Sequence, residues 1–319
     1  MIRLPGVSRV PPEAMRVALR LAAVLVLGIV LASLSSAFLS AVNLMNVLRQ
    51  AALLFFMSSG LTLVVLTAGL DLSIGATIAL GACVAGTVIK SADSAWLGAA
   101  TALGIGGVVG LLNGMMVSLL RIPSFIATYG MLWVLQGLAY TYMAGTTVYG
   151  FPSGFRQLGN GYLIGVPIPV LVMAALLAIG TIFAQRTVWG QQIVMIGANP
   201  VAARLSGVPV KRRLILVYVL SGLAAGFAAL VYLARLNSAE ADIGSSLTLP
   251  AIAAVLIGGA SLFGGVGTLA GTFIGALILT LVLNGMNLLH VDGNWQPLVT
   301  GAIIVAAVWL DLQGQRTRS

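Results

Sequence analysis

The chain has 319 residues, 60% of them hydrophobic and only 7% charged, with a mean hydropathy of +1.09. Soluble domains carry roughly 25% charged residues, so water is excluded as the main solvent. Net charge is +9 with a pI near 10.5, yet the basic residues sit almost entirely between apolar runs. Positive-inside sorting explains that placement, and no nucleic-acid partner is expected. The runs are continuous and rich in Leu, Val, Ala and Gly, unlike the alternating strands of membrane barrels, so they read as membrane helices. The expected class is all-α: a polytopic membrane protein of about ten transmembrane helices, some short or broken, forming one domain over 1–319 in contact with the bilayer.

In chain order, the tail 1–16 leads into apolar segments at 17–39, 51–68, 73–89, 95–119, 124–144, 164–184, 214–234, 250–264, 268–289 and 296–312. The first resembles a signal peptide in its arginines and in Ser35-Ser36-Ala37. Its apolar stretch exceeds the roughly 7–15 residues of a signal core, and it is read as an uncleaved span. An even number of spans places both termini on one side. If that side is the cytoplasm, the inner stretches hold twelve basic residues: Arg3, Arg9, Arg16, Arg20, Arg121, Arg186, Arg204, Lys211, Arg212, Arg213, Arg316 and Arg318. The outer stretches hold four, Arg49, Lys90, Arg156 and Arg235, and this bias sets the orientation.

Pro250–Gly264 reaches only about 22 Å as a helix, short of a core of ~30 Å. It is interrupted by Gly258-Gly259 and Gly264-Gly265. Backbone broken in this way is tolerated where protein or a water-filled cavity shields it, so 250–289 reads as a broken or re-entrant pair or as a tilted span. Gly106, Gly110 and Gly114 form a ladder, as do Gly267, Gly271 and Gly275, with Gly222 and Gly226 a shorter pair. Such ladders let helix backbones approach closely in lipid.

Chemistry is sparse. A P-loop needs a lysine after a glycine, and Lys90 follows Ile89 while Lys211 follows Val210, so ATP hydrolysis of that kind is not encoded. Cys83, the single cysteine, lies in an apolar run as a packing residue, and no metal site or bound cofactor is expected. His290 falls at a span boundary. Asp71 is the acid that stands between two short spans, where a carboxylate caps the following helix or, alternatively, contacts a solute; Ser73 shares that turn. Asn113, Gln136, Asn284 and Asn287 lie within spans, either lining a path or joining helices by hydrogen bonds.

The 185–213 loop contains an N-cap asparagine, Asn199, then Pro200 at the first helical position, with Gly207 and Pro209 as stops. A helix of about two turns over Pro200–Ser206 follows, with Val201, Leu205 and Val208 along an apolar edge. On spacing alone it is an interfacial helix on lipid headgroups or a docking helix for another subunit.

Gly197-Ala198-Asn199-Pro200-Val201-Ala202-Ala203-Arg204-Leu205-Ser206-Gly207-Val208 resembles the cytoplasmic loop of ribose-type ABC importer permeases, the branched-chain binding-protein-dependent transport family. Thr67-Ala68-Gly69-Leu70-Asp71-Leu72-Ser73-Ile74-Gly75 is similar to that family's T-G-G-I-D-L-S-V-G. Residues 251–265, including Gly258 and Gly259, resemble A-I-A-A-V-V-I-G-G-T-S-L-x-G-G, and Asn284-Gly285-Met286-Asn287-Leu288-Leu289 fits N-G-L-N-L-L. The resemblance runs from about Asn43 to Asp311. It implies a permease domain that is not itself an enzyme, in the bacterial inner membrane, with 185–213 as coupling loop. The implied partners are a second permease subunit, two cytoplasmic ATPases holding ATP-Mg, and a periplasmic solute-binding protein. It implies coupling through Asn199, Pro200, Ala202, Ala203, Arg204, Leu205, Ser206 and Gly207, and import of a monosaccharide. Related permeases carry branched-chain amino acids or nucleosides, and a stand-alone secondary transporter is the reading from another class. Where sugar permeases read Y-E-L-D-A-I-A, this chain reads Leu247-Thr248-Leu249-Pro250-Ala251-Ile252-Ala253, which leaves the solute open. The outer loop Gly145–Leu163, with Glu240 and Asp242, is the expected receiving surface for the binding protein or an ordinary solvated loop.

Overall fold

In the computed structural model the described residues are 12–316, Ser245 apart. Arg3, Arg9 and Arg318, and most of the tail 1–16, lie outside them. The helices are α1 (Pro12–Leu34), α2 (Ala41–Leu66), α3 (Ile74–Ala92), α4 (Ala95–Ser118) and α5 (Ser124–Met143). A cap follows, made of β1 (Val148–Tyr149), α6 (Ser153–Asn160), β2 (Tyr162–Leu163) and β3 (Val166–Pro167). The chain continues through α7 (Ile168–Arg186), α8 (Val188–Ala198), α9 (Pro200–Leu205), α10 (Val210–Leu236), β4 (Ser238–Ala239), α11 (Thr248–Ile257), α12 (Leu269–Leu288) and α13 (Trp295–Arg316). Eight of these (α1, α2, α3, α4, α7, α10, α12 and α13) are long and apolar enough to cross a membrane. The fold is a polytopic α-helical membrane bundle.

Helix α2 forms the axis: 89% of its most apolar stretch is buried, against 6% for α1 and for α13. The outermost helices therefore show apolar side chains to lipid, and the interior packs around Phe55, Phe56 and Met57, all fully buried. Phe55 meets Phe273 of α12 and Phe56 meets Phe227 of α10 edge-to-face, with centroids 6.1 and 5.1 Å apart, a favoured aromatic geometry.

The glycine ladders find one another. A Cβ at Gly106 would strike the Gly222 carbonyl, and one at Gly226 the Ala102 carbonyl, so α4 and α10 touch backbone to backbone. At Gly114 a Cβ would lie 2.8 Å from Ile215 Cα. In the second ladder Gly271 and Gly275 of α12 rest on the carbonyls of Gly258, the C-cap of α11, and Ala254, while Gly267, expected as its first rung, lies before the helix.

Several boundaries differ from the sequence expectations. α2 starts at Ala41 rather than near residue 51, because Ser40 caps it by accepting from Asn43 N; hydropathy missed these turns since Asn43, Asn46, Arg49 and Gln50 are polar. Arg49 thus sits inside a helix and is buried. Residues 185–213 are mostly helical rather than loop. Thr187 breaks α7 and caps α8, its side chain accepting from Gly190 N. Lys211, Arg212 and Arg213 belong to the first turn of α10, with Arg213 stacked on Trp189 at 4.8 Å and donating to Gln192 at 2.6 Å. Cys83 is buried in α3, and His290 is exposed in the turn after α12.

Candidate functional site

Two stretches of non-helical backbone interrupt the bundle, and the second reaches the first turn of the helix that follows the first. The first, residues 67–73, joins α2 to α3. Asp71 bonds to Ser221, which lies fifteen residues before Leu236 and eleven after Val210 in α10, or about 22 and 16 Å from its ends at 1.5 Å per residue. The second, residues 240–247 apart from Ser245, descends from β4, which pairs with β1 of the cap, until Gly244 touches Gly75. The span then resumes as α11, ten residues long.

Backbone in such a place must be satisfied by protein. Leu70 N–H donates to Ser124 Oγ at 3.2 Å and Leu72 N–H to Thr128 Oγ1 at 3.1 Å, both hydroxyls one turn apart on α5. Asp71 Oδ1 accepts from Ser73 N at 3.1 Å and from Ser73 Oγ at 2.7 Å. Asp71 Oδ2 accepts from Ser221 Oγ at 2.9 Å, and Asn113 Nδ2 donates to Ser73 Oγ at 2.8 Å. The carboxylate holds the turn before α3 and ties it to α10; it does not reach the first-turn N–H groups of α3, and Ser73 occupies the N-cap position without a side-chain cap bond. Asp71, Ser73, Asn113 and Ser221 are all buried, and Asn113 Oδ1 has no hydrogen-bond partner.

The four polar residues expected on a path fall into two places. Asn113 belongs to this network, and Gln136 of α5 donates to the Ala241 carbonyl at 2.8 Å, with Tyr140 OH bonding Asp242 one turn on. Asn284 instead pairs with Asn43 through two bonds of 2.9 and 3.2 Å, and Asn287 accepts from Gln296 at 2.9 Å. Sequence reasoning missed Ser124, Thr128 and Ser221. The spacing of the first two was a visible signal, whereas nothing local marks Ser221.

At the opposite end from the cap, α9 stands apart. Asn199 accepts from Val201 N and Ala202 N at 3.0 and 2.9 Å, with Pro200 at the first position. Helix α9 ends at Leu205, one residue short of the expected Ser206, and Gly207 adopts φ +82 beyond it. Ala203 is buried with Ile196, Val208 and Val210, while Val201 and Leu205 are exposed at 67% and 85%. Val208 faces inward, so the exposed edge is Val201 and Leu205 beside the exposed Ala202 and Arg204. Just before α9, Gly197 lies against the Leu66 carbonyl, and a Cβ there would come within 2.5 Å of Gly265 N; Gly265 N–H itself donates to Leu66 O at 2.9 Å. The end of α2, the end of α8 and the α11–α12 turn thus converge at glycines. The same turn carries Gly258 and Gly259, and the Arg20 guanidinium of α1 occupies the space a Gly259 Cβ would take.

A central helix wrapped by lipid-facing ones, two non-helical interruptions on either side of the start of α3, and a capped helix with an exposed apolar edge at one end define a multi-pass membrane transport permease. The chain belongs to the family described as "Branched-chain amino acid transport system / permease component", which matches residues 43–308. It is 40% identical over 299 residues to the ribose import permease protein RbsC of Escherichia coli strain K12, covering 92% of this chain and 93% of that one. Identity to RbsC of Bacillus subtilis strain 168 is 39% over 289 residues, 90% and 89% of the two chains. Identity to the galactose/methyl galactoside import permease protein MglC of E. coli K12 is 34% over 293 residues, 86% and 87%. No solved structure matches the chain. The protein is the inner-membrane permease subunit of an ABC importer, a transporter component and not an enzyme.

Proposed function

We propose that this permease imports a monosaccharide, handed to its cap end by a periplasmic binding protein, with both termini in the cytoplasm. It works beside a second permease subunit, and two ATPase subunits holding ATP-Mg drive it from the α9 end. The relatives named for ribose and galactose import support the solute class. The twelve-to-four charge bias supports the orientation.

The observation that carries the reading is α9: a capped helix, Asn199 to Gly207, whose exposed Val201, Leu205 and Arg204 present an apolar ridge and a charge, backed by the buried Ala203. It fits a groove on a cytoplasmic subunit. Asn113 and Gln136, bonded to the broken segments, flank the solute path, whereas Asn284 and Asn287 fasten helix ends. Asp71 and Ser73 hold the 67–73 turn in shape, and Gly258 and Gly259 hold the turn between α11 and α12. The Gly145–Leu163 loop, with Glu240 and Asp242, receives the binding protein.

The test is uptake in proteoliposomes containing the whole complex. Ribose or galactose should accumulate with ATP, and Ala203→Trp or Gly207→Val should abolish both uptake and co-purification of the ATPase. Normal ATP-coupled uptake by those variants would sink the coupling role. The family's description supports a second reading, a branched-chain amino acid or nucleoside as cargo, and accumulation of leucine or a nucleoside in place of sugar would establish it.

A further inference from the structure

Basic side chains are scarce at the cap end, yet three of the four assigned there gather at one place. Arg49 of α2 is 8% exposed. Its Nη1 donates to Asn46 Oδ1 at 3.2 Å, and its guanidinium lies 5.2 Å from the centre of the Tyr162 ring. Its buried Nε nevertheless has no hydrogen-bond partner, and neither does the buried Nη1 of Arg235 in the last turn of α10. The cap joins the two: Asn160 bonds the Arg235 carbonyl, and Tyr162, two residues further on, covers the Arg49 guanidinium. Among the described residues no carboxylate bonds either of them. Arg156 of α6, itself exposed, lines an open surface depression with Gln157 and Asn160, and Asn160 Nδ2 donates to the carbonyls of Ala234 and Arg235 at 3.1 and 3.0 Å.

Gathering like charges out of water without a counter-charge is unfavourable, and positive residues are selected against on the outer side of a membrane. Arginine forks match the oxygens of a phosphate in geometry and charge. Directly over Arg49 stands the β2–β3 hairpin, whose tip presents Tyr162, Leu163 and Ile164 with exposures of 55%, 56% and 95%. That hairpin leads into α7, only 11% of which is buried, so the tip borders the lipid-facing side. An aromatic and two aliphatic side chains at this level suit the boundary between headgroups and acyl chains.

We propose that Arg49 and Arg235 form an outer-leaflet phospholipid site, the lipid phosphate drawn to their guanidinium groups and its upper acyl chain lying against Ile164, just beyond the loop that receives the binding protein. The apolar hairpin beside the charges distinguishes a lipid from a free anion. The test uses full-length permease purified in detergent, with native mass spectrometry and thermal unfolding. Wild-type protein should retain phosphatidylglycerol at detergent concentrations that strip it from the Arg49→Gln/Arg235→Gln double variant, with affinity lower by about tenfold or more in the variant. Arg49→Lys/Arg235→Lys keeps the charge and should retain lipid partially, which separates loss of binding from loss of fold. Equal lipid retention by wild type and folded Gln variant overturns the proposal. Stabilisation by millimolar inorganic phosphate equal to that by phosphatidylglycerol assigns the site to a free anion and overturns the lipid. A Gln variant that keeps its lipid but no longer associates with the binding protein assigns the arginines to a protein carboxylate, and also overturns it.

Discussion

Replacing Asp71 tests whether the interior turn is held by hydrogen-bond acceptors or by charge. Asp71→Leu removes the partner of one backbone N–H, Ser73 N, and of two hydroxyls, Ser73 Oγ and Ser221 Oγ. A buried donor left unpaired costs roughly 1–3 kcal/mol, and hydroxyls can rotate to other acceptors, so the total is about 3–5 kcal/mol. Asp71→Asn keeps the Oδ1 acceptor toward Ser73 and places an amide donor against Ser221 Oγ, which can accept. What is lost is the extra strength of a charged acceptor, about 1 kcal/mol. The assay is thermal unfolding in detergent together with uptake by the reconstituted complex. Asn should unfold near wild type and transport, while Leu should unfold well below and transport poorly. If Asn matches wild type in stability but loses uptake, the carboxylate acts on the solute or by its charge, and the structural account is wrong. If Leu is as stable as wild type, the network does not hold the turn at all.

The α4–α10 seam can be tested on one helix with its own control. Gly110→Ala places a methyl on the Tyr218 carbonyl and 2.8 Å from Val219 Cα; overpacking of about 1–3 kcal/mol outweighs a helix-propensity gain of up to ~1 kcal/mol. Gly104→Ala, with nothing within 4 Å, should be neutral or stabilising, and equal effects at both positions would dismiss the seam. For the Asn43–Asn284 pair, a double-mutant cycle to Leu should give a coupling of about 0.6 and at most ~1.7 kcal/mol. Water-soluble thiol reagents should label a cysteine at 136 in some transport state but leave one at 284 unlabelled; the reverse pattern would move the path.

The bundle was legible wherever hydropathy and helix caps speak in the local sequence. Asn199, Pro200 and Gly207 bracket α9 to within a residue, and the glycine ladders face neighbouring backbones, although Gly267, expected as the first rung of the second, precedes α12 with φ +150. The start of α2 was hidden because Asn43, Asn46, Arg49 and Gln50 carry no apolar signal, although Ser40 caps them. α8 was hidden because Gly190 and Gly197 look like loop residues; the structure needs them as close approaches instead, Gly190 against the Phe183 and Ala184 carbonyls. Asp71 stood out as the acid between spans. Its partner Ser221, 150 positions away, did not, since a lone serine in an apolar helix looks the same whether or not it bonds. The grouping of Asn113 with Asp71, and of Asn284 with Asn43, is equally a tertiary fact that spacing along one helix cannot carry.

The glycine junction around Gly197 has a mechanical meaning. Between α9 and the broken span the chain offers no slack: Gly197 leaves less than a methyl group of free play between α8, the Leu66 carbonyl and the turn at Gly265. At this point the three backbones touch with no rotatable side chain among the nearest atoms, so a displacement of α8 would bear directly on the end of the central helix and on the turn between α11 and α12.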